Sequence, residues 1–206
     1  MNDQVKVLGI DRLRMGSDGE GITTLVALYK CPLRCKYCLN PQCHTIPDNS
    51  YSTTPDKLVQ LCMVDNLYFQ YTNGGLAIGG GEPLLFPTFI NEVRDRMPSE
   101  WSLTLETSLN VPTENVKQIL KDITHWFIDI KDMNPDIYKE YTQCTNLQVY
   151  QNLSLLAAHK LQDKCTIRVP LIPSFNTTQD QNASVKKLTE MGFKKFDLFE
   201  YITGQQ

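Results

Sequence analysis

The chain has 206 residues, of which 41% are hydrophobic and 21% charged, with a formal net charge of −3. Such a composition supports one globular core and is short for two full domains. The weak acidic balance excludes the basic field of a nucleic-acid binder, and no run of about 18 apolar residues exists to span a membrane. The polar start, Met1 to Val7, lacks the apolar stretch of a secretory signal. Seven cysteines in an unexported chain read as reduced thiols plus a metal site, and a cytoplasmic setting is expected.

In chain order, residues 1–18 form an N-terminal leader of strand or loop. A strand over 22–29 runs straight into a cysteine-rich loop. A helix over 55–68 follows, capped by Ser52, Thr53 or Thr54 with Pro55 in its first turn. A short strand at 76–78 leads into Gly79-Gly80-Gly81-Glu82-Pro83. A helix over 87–97 is stopped by Pro98, and a strand at 102–106 and a helix at 113–121 follow. Next come a strand at 126–130, helices at 135–141 and 147–160, and a strand at 166–171. A helix at 178–191 stops at Gly192, and the last strand covers 196–201. Strands alternating with helices predict parallel pairing joined by crossovers. The expected fold class is therefore α/β, and residues 1–206 are expected to form a single domain.

In parallel barrels the chemistry sits on loops at the carboxyl ends of strands, and the polar motifs here fall there. The cysteine loop follows the first strand and Gly80-Gly81-Glu82-Pro83 the second. Glu106-Thr107-Ser108 ends the third and Asp129-Ile130-Lys131-Asp132 the fourth. Arg168 lies in the fifth and Glu200 in the sixth.

The loop reads Cys31-Pro-Leu-Arg-Cys35-Lys-Tyr-Cys38. Three thiolates this close suit an iron–sulfur cluster, and a four-iron cluster then keeps one iron without a protein ligand. Two other readings stand beside it. Cys43 or His44 could complete a zinc site, or Cys43 could complete an electron-transfer cluster with four cysteine ligands. Cys62 and Cys165 lie in apolar stretches and read as core. Glycines at 79–81 let backbone approach a ligand closely, and an ordinary glycine-rich turn would look the same. Arg168 in an otherwise apolar strand is costly unless paired.

These motifs resemble the radical S-adenosylmethionine (SAM) superfamily, and within it the activating enzymes of glycyl radical enzymes, of the pyruvate formate-lyase activating type. Glu106-Thr107-Ser108-Leu109 resembles that branch's Asp-Thr-Asn-Gly. Asp129-Ile130-Lys131 resembles its Asp-Leu-Lys, and Asp18-Gly19-Glu20-Gly21-Ile22 its Asp-Gly-Pro-Gly-Ile. The stretch from Ile167 to Asn176 also matches the branch. Its histidine near the end of the last strand has no counterpart, since Glu200-Tyr201-Ile202 stands there.

The resemblance implies an open, partial (β/α)6 barrel with a parallel six-stranded sheet and outer helices, short and lacking the final helix. It implies a [4Fe–4S] cluster on Cys31, Cys35 and Cys38, with SAM on the open iron and an anaerobic setting. SAM contacts are expected from Tyr37, Leu39, Gly80, Gly81, Glu82, Glu106, Thr107, Ser108, Asp129, Lys131 and Arg168. Tyr37 would lie near the adenine, with plain packing as the alternative. Lys131 and Arg168 are the expected catalytic residues. The carboxylates and Thr107 are the hard oxygen donors a monovalent cation would take. One electron, from flavodoxin or ferredoxin, would cleave SAM to methionine and a 5′-deoxyadenosyl radical. That radical would take hydrogen from a backbone glycine of a partner glycyl radical enzyme. A ribosomal peptide or a small molecule is the alternative substrate, and a non-catalytic iron–sulfur or zinc protein is the alternative from another class. No nucleic-acid or membrane partner is expected.

Overall fold

The computed structural model describes residues 4–45 and 50–201. The leader's first residues and Ile202, where the resemblance ends, lie outside them. The fold is α/β with a mostly parallel sheet that does not close. Two compact units interleave along the chain. The first comprises the described residues of 4–31, 40–107 and 114–126, and the second those of 32–39, 108–113 and 127–201.

In the first unit the strands run in the order β3-β1-β2-β4-β5: β1 is Val5–Met15, β2 Ile22–Leu28, β3 Tyr51–Thr53, β4 Gly75–Gly80 and β5 Ser102–Thr107. The pairs β2·β4 and β4·β5 are parallel, with Ala27 opposite Gly79 and Ile78 opposite Leu105. Two strands add to the expected parallel ones. The leader is largely a single strand of 11 residues, antiparallel to β2, and β3 pairs antiparallel with its start. A short connection through Gly16, Gly19 and Gly21, all at positive φ, can only reverse the chain. Parallel pairing needs a crossover of a dozen residues or more.

The helix expected over 55–68 is two helices, α1 (Pro55–Cys62) and α2 (Asn66–Thr72), separated by a 3₁₀ turn at Met63–Asp65. Thr54 caps α1 through the Lys57 amide. The break turns Asp65 inward, where its carboxylate takes Arg12 Nη1 at 2.5 Å and Thr24 Oγ1 at 2.7 Å. These partners offset the cost of burying the acid. Trp101 meets Phe69 edge-on at 4.8 Å and donates its indole N–H to Asn66 at 2.8 Å. Helix α3 is Pro87–Arg96, and α4 (Thr113–Lys117) is shorter than expected. Beyond it Ile119 and Leu120 turn in and are buried.

Strand β6, His125–Asp129, carries the chain into the second unit. There α5 (Pro135–Thr142), α6 (Leu147–Ala158), β7 (Cys165–Leu171), α7 (Thr178–Glu190) and β8 (Lys195–Glu200) follow. Strands β7 and β8 are parallel, with Arg168 opposite Asp197. A capping box of Thr177 and Asp180 starts α7. Along β7 the residues Cys165, Ile167 and Val169 are buried, while Thr166 and Arg168 between them are half-buried. Strand β6 alternates likewise, with Ile128 buried and Phe127 and Asp129 half-buried. Period-two alternation thus separates an apolar face from one that carries charge.

Residues 108–113 form a tight loop in which Leu109 has φ of +56°. The amide of Asn152, a fully buried residue on α6, donates to the carbonyls of Leu109 and Val111, each at 2.8 Å. Removing it takes a buried donor from both carbonyls, of which that of Leu109 keeps the Val111 amide at 3.0 Å. Asn152→Ala is expected to lower unfolding free energy by about 1–3 kcal/mol, read from the urea midpoint, and an unchanged midpoint would show that the clamp does not hold the loop.

Candidate functional site

In the first unit the glycine turn is shaped by the strand beside it. Gly80 has φ of +89°, and a Cβ there would come within 2.6 Å of Ala27 Cα. A Cβ on Gly81 would collide with the Lys30 carbonyl. The amides of Gly81 and Glu82 donate to Leu28 and Lys30 at 2.9 and 2.8 Å. The turn is therefore laced onto the segment that enters the cysteine loop, and Cys31 is the next residue along. Asn40 donates its side-chain amide to the Gly80 carbonyl at 3.1 Å. Sequence reasoning passed over Asn40; its signal is an Asn-Pro turn just after the third cysteine.

Glu82 is fully buried. One carboxylate oxygen accepts from Thr107 Oγ1 at 2.6 Å and from the Leu84 amide at 3.2 Å. Both residues thus tie the ends of β4 and β5 together. Glu106 lies beside Gly79, its Oε2 at 3.0 Å from where a Cβ would be. Cys43 is buried in a 3₁₀ turn, Pro41–His44, and its carbonyl accepts from the Lys30 amide at 3.1 Å.

In the second unit Lys131 is the centre of charge. It is 7% exposed, with its Nζ 3.0 Å from Asp129 Oδ2 and donating to the Tyr201 hydroxyl at 2.9 Å. Burial pulls the ammonium's pKa down, but Asp129, Tyr201 and Cys35 outweigh it and hold the pKa well above the ordinary lysine value. Asp129 Oδ1 is buried with no hydrogen-bond partner. Burial pushes the Cys35 thiol up to about 11, against the pull of Lys131. Tyr201, noted in the sequence only as part of the stretch Glu200-Tyr201-Ile202, is nine-tenths buried in a cluster with Tyr141, Ile172, Tyr37 and Phe175.

Tyr37 packs at 5.7 Å against Phe175 and 6.2 Å against Tyr141. Leu39 is 77% exposed. Arg168 stacks over Phe127 at 4.3 Å and reaches Asp197, its register partner, at 3.7 Å. Ser108 Oγ accepts from the Asn110 amide at 3.3 Å. Asp132 is spent on structure: it accepts from the Asn134 amide, Asn176 and Ser184 at 2.7, 3.1 and 3.2 Å.

Comparison with known proteins places this geometry. The model of the radical SAM superfamily matches residues 25–181. The chain belongs to the radical SAM superfamily. Its curated relatives include the (2S)-3-sulfopropanediol dehydratase activating enzyme of Klebsiella oxytoca, 29% identical over 77% of this chain and 69% of that protein. Another is the 4-hydroxyphenylacetate decarboxylase activating enzyme of Clostridioides difficile, 28% identical over 82% of this chain and 72% of that protein. The chain is thus a radical SAM enzyme by family, similar to activating enzymes. The Streptococcus suis SuiB structure bound to S-adenosylmethionine superposes with a TM-score of 0.64 at 12% identity. It covers 85% of this chain, which spans 40% of that one, so the likeness is one of fold.

The family implies a [4Fe–4S] cluster and SAM, and the residues present fit both. Cys31, Cys35 and Cys38 are half-buried and in no disulfide, and three thiolates are the donor set such a cluster takes. The orphaned Asp129 Oδ1 beside a fixed ammonium suits a ligand carrying both an ammonium and a carboxylate. Among the described residues no helix is long and apolar enough to cross a membrane.

Because the Glu82 carboxylate is enclosed, its first effect falls on the turn. Glu82→Ala is expected to destabilise the metal-free chain by about 1–3 kcal/mol, and Thr107→Val to add little once Glu82 is gone. Thermal melts of the three variants decide it. Additive losses would mean the two side chains act apart.

Proposed function

We propose that this chain is an activating enzyme for a glycyl radical enzyme, with residues 1–206 acting as one radical SAM core. In this reading Cys31, Cys35 and Cys38 ligate a [4Fe–4S] cluster. Gly80, Gly81, Asp129, Lys131 and Arg168 hold SAM, with Tyr37, Leu39 and Glu82 shaping the surroundings. When bound, the cluster and SAM supply the chemistry that removes one hydrogen atom from a backbone glycine of the partner.

Within this reading each side chain has a task set by its charge. Lys131, fixed by two partners, offers a cation to the SAM carboxylate. Asp129 Oδ1 accepts from its ammonium. Arg168, braced by Phe127 and Asp197, keeps its guanidinium from being an unpaired charge on the strand face. Glu106, Thr107 and Ser108 supply the oxygen donors that a monovalent cation needs. A flavodoxin or ferredoxin is the electron donor in this scheme, in an anaerobic cytoplasm. The observation that carries the proposal is the likeness to activating enzymes across more than three-quarters of the chain, with Asp129 and Lys131 already paired.

Two measurements test it. Cys35→Ala is expected to lose the iron of the anaerobically reconstituted protein, while Cys43→Ala keeps most of it. Equal loss in both would favour a four-ligand, non-catalytic centre. Electron paramagnetic resonance of the reduced protein with SAM and the glycyl radical enzyme encoded nearest its gene should then show a stable glycyl doublet, absent in Cys35→Ala. Deoxyadenosine without that doublet would keep the radical chemistry and move the substrate to a peptide or small molecule.

A further inference from the structure

The hydroxyl of Tyr201 occupies an unusual place. The residue follows β8, its backbone amide extending the ladder by donating to the Leu171 carbonyl at 3.0 Å. Its ring is held by Phe199 at 5.5 Å and Tyr141 at 6.3 Å. Backbone and ring are both fixed, so the hydroxyl has little freedom. It accepts from Lys131 Nζ at 2.9 Å, across a sequence separation of 70 residues.

An ammonium has three N–H donors. Asp129 Oδ2 takes one and Tyr201 a second. Asp129 and Lys131 stand two residues apart at the end of β6, so Tyr201 is the partner that reaches the ammonium from another strand. Without it a flexible four-carbon stem would be tethered at one end only, and its remaining donor would have no set direction.

We propose that Tyr201 is a positioning residue: its hydroxyl, with Asp129, fixes the Lys131 ammonium so that its third N–H is presented to the carboxylate of the α-amino-acid portion of the ligand. The inference rests on the SAM-binding reading above and adds to it the group that orients the cation. Three features support it. The partner is neutral, so it orients the charge without cancelling it. Burial raises the phenol's pKa, which keeps the proton on the oxygen. The unpaired Asp129 Oδ1 is an acceptor for the ligand's ammonium beside the same lysine.

Tyr201→Phe removes only the hydroxyl and keeps the ring. SAM binding to the anaerobically reconstituted holoenzyme, measured by equilibrium dialysis well below the melting temperature, is compared in four proteins: wild type, Tyr201→Phe, Lys131→Met and the double variant. Tyr201→Phe is expected to raise the Kd about tenfold, and to have no further effect where Lys131 is already methionine. A purely structural hydroxyl would lower the melting temperature and leave the Kd of the folded protein unchanged, which would overturn the proposal. So would an equal Kd increase in both lysine backgrounds, because Tyr201 would then act without Lys131. Wild-type protein that takes up the cluster and binds no SAM would overturn the functional reading itself. That result is distinct from the other two, in which wild type binds.

Discussion

The first unit depends on how closely the turn at 79–81 approaches the end of β2. Two parallel strands already lie side by side; the glycines let their continuations touch backbone to backbone. Leu28 and Lys30 carbonyls receive the amides of Gly81 and Glu82, and no side chain could stand between them. Lys30 itself sits at φ of +83°, a conformation that costs a non-glycine residue about 1–3 kcal/mol. Its amide and its carbonyl are both taken, by Cys43 and Glu82, and these bonds hold the conformation. The entry to the cysteine loop is thus determined by backbone contacts before any ligand is considered. The buried Glu82–Thr107 bond carries the same constraint from β4 to β5.

The second unit solves a different problem, that of placing charge on a sheet face without exposing it. Lys131 is buried, and an isolated ammonium there would lose its proton. Asp129 and Tyr201 make the charged form the stable one. Arg168 follows the same rule at the neighbouring strand, with a ring beneath it and a carboxylate beside it. The apolar halves of β6 and β7 face the other way. Charge and packing are therefore separated by strand alternation, and one side of each strand can be polar at little cost to the core.

Much of this was legible in the sequence. Strand–helix alternation placed β2, β4 to β8 and the helices within a few residues, because each apolar run is bounded by a cap, a proline or a glycine. The cysteine spacing and the Asp-x-Lys pair were legible because their chemistry tolerates few alternatives. Strand β1 was not, since Lys6, Asp11, Arg12 and Arg14 interrupt its pattern and its far half is exposed. The break between α1 and α2 was hidden too: Asp65 within it pairs with Arg12, a residue more than fifty positions away. Asn40, Asn152 and Tyr201 share one reason for being missed. Each acts through long-range hydrogen bonds that no local pattern announces.

The departures from the activase motifs take a different meaning once the backbone is known. Leu109 stands where the resembling segment has glycine, yet it keeps the left-handed conformation that glycine favours. That conformation costs an ordinary residue roughly 1–2 kcal/mol. Full burial of a leucine side chain returns about 1.5–3 kcal/mol, and Leu109 is fully buried. The two terms are close, and Asn152 adds the hydrogen bonds that hold the loop. The replacement therefore alters the side-chain chemistry of the loop while retaining its path. Tyr201 belongs to the stretch Glu200-Tyr201-Ile202 that stands where the resembling enzymes carry a histidine, and it is anchored by backbone and ring with its hydroxyl on Lys131. Neither residue is held by local sequence alone: Asn152 ties down the Leu109 loop and the Leu171 carbonyl the backbone of Tyr201.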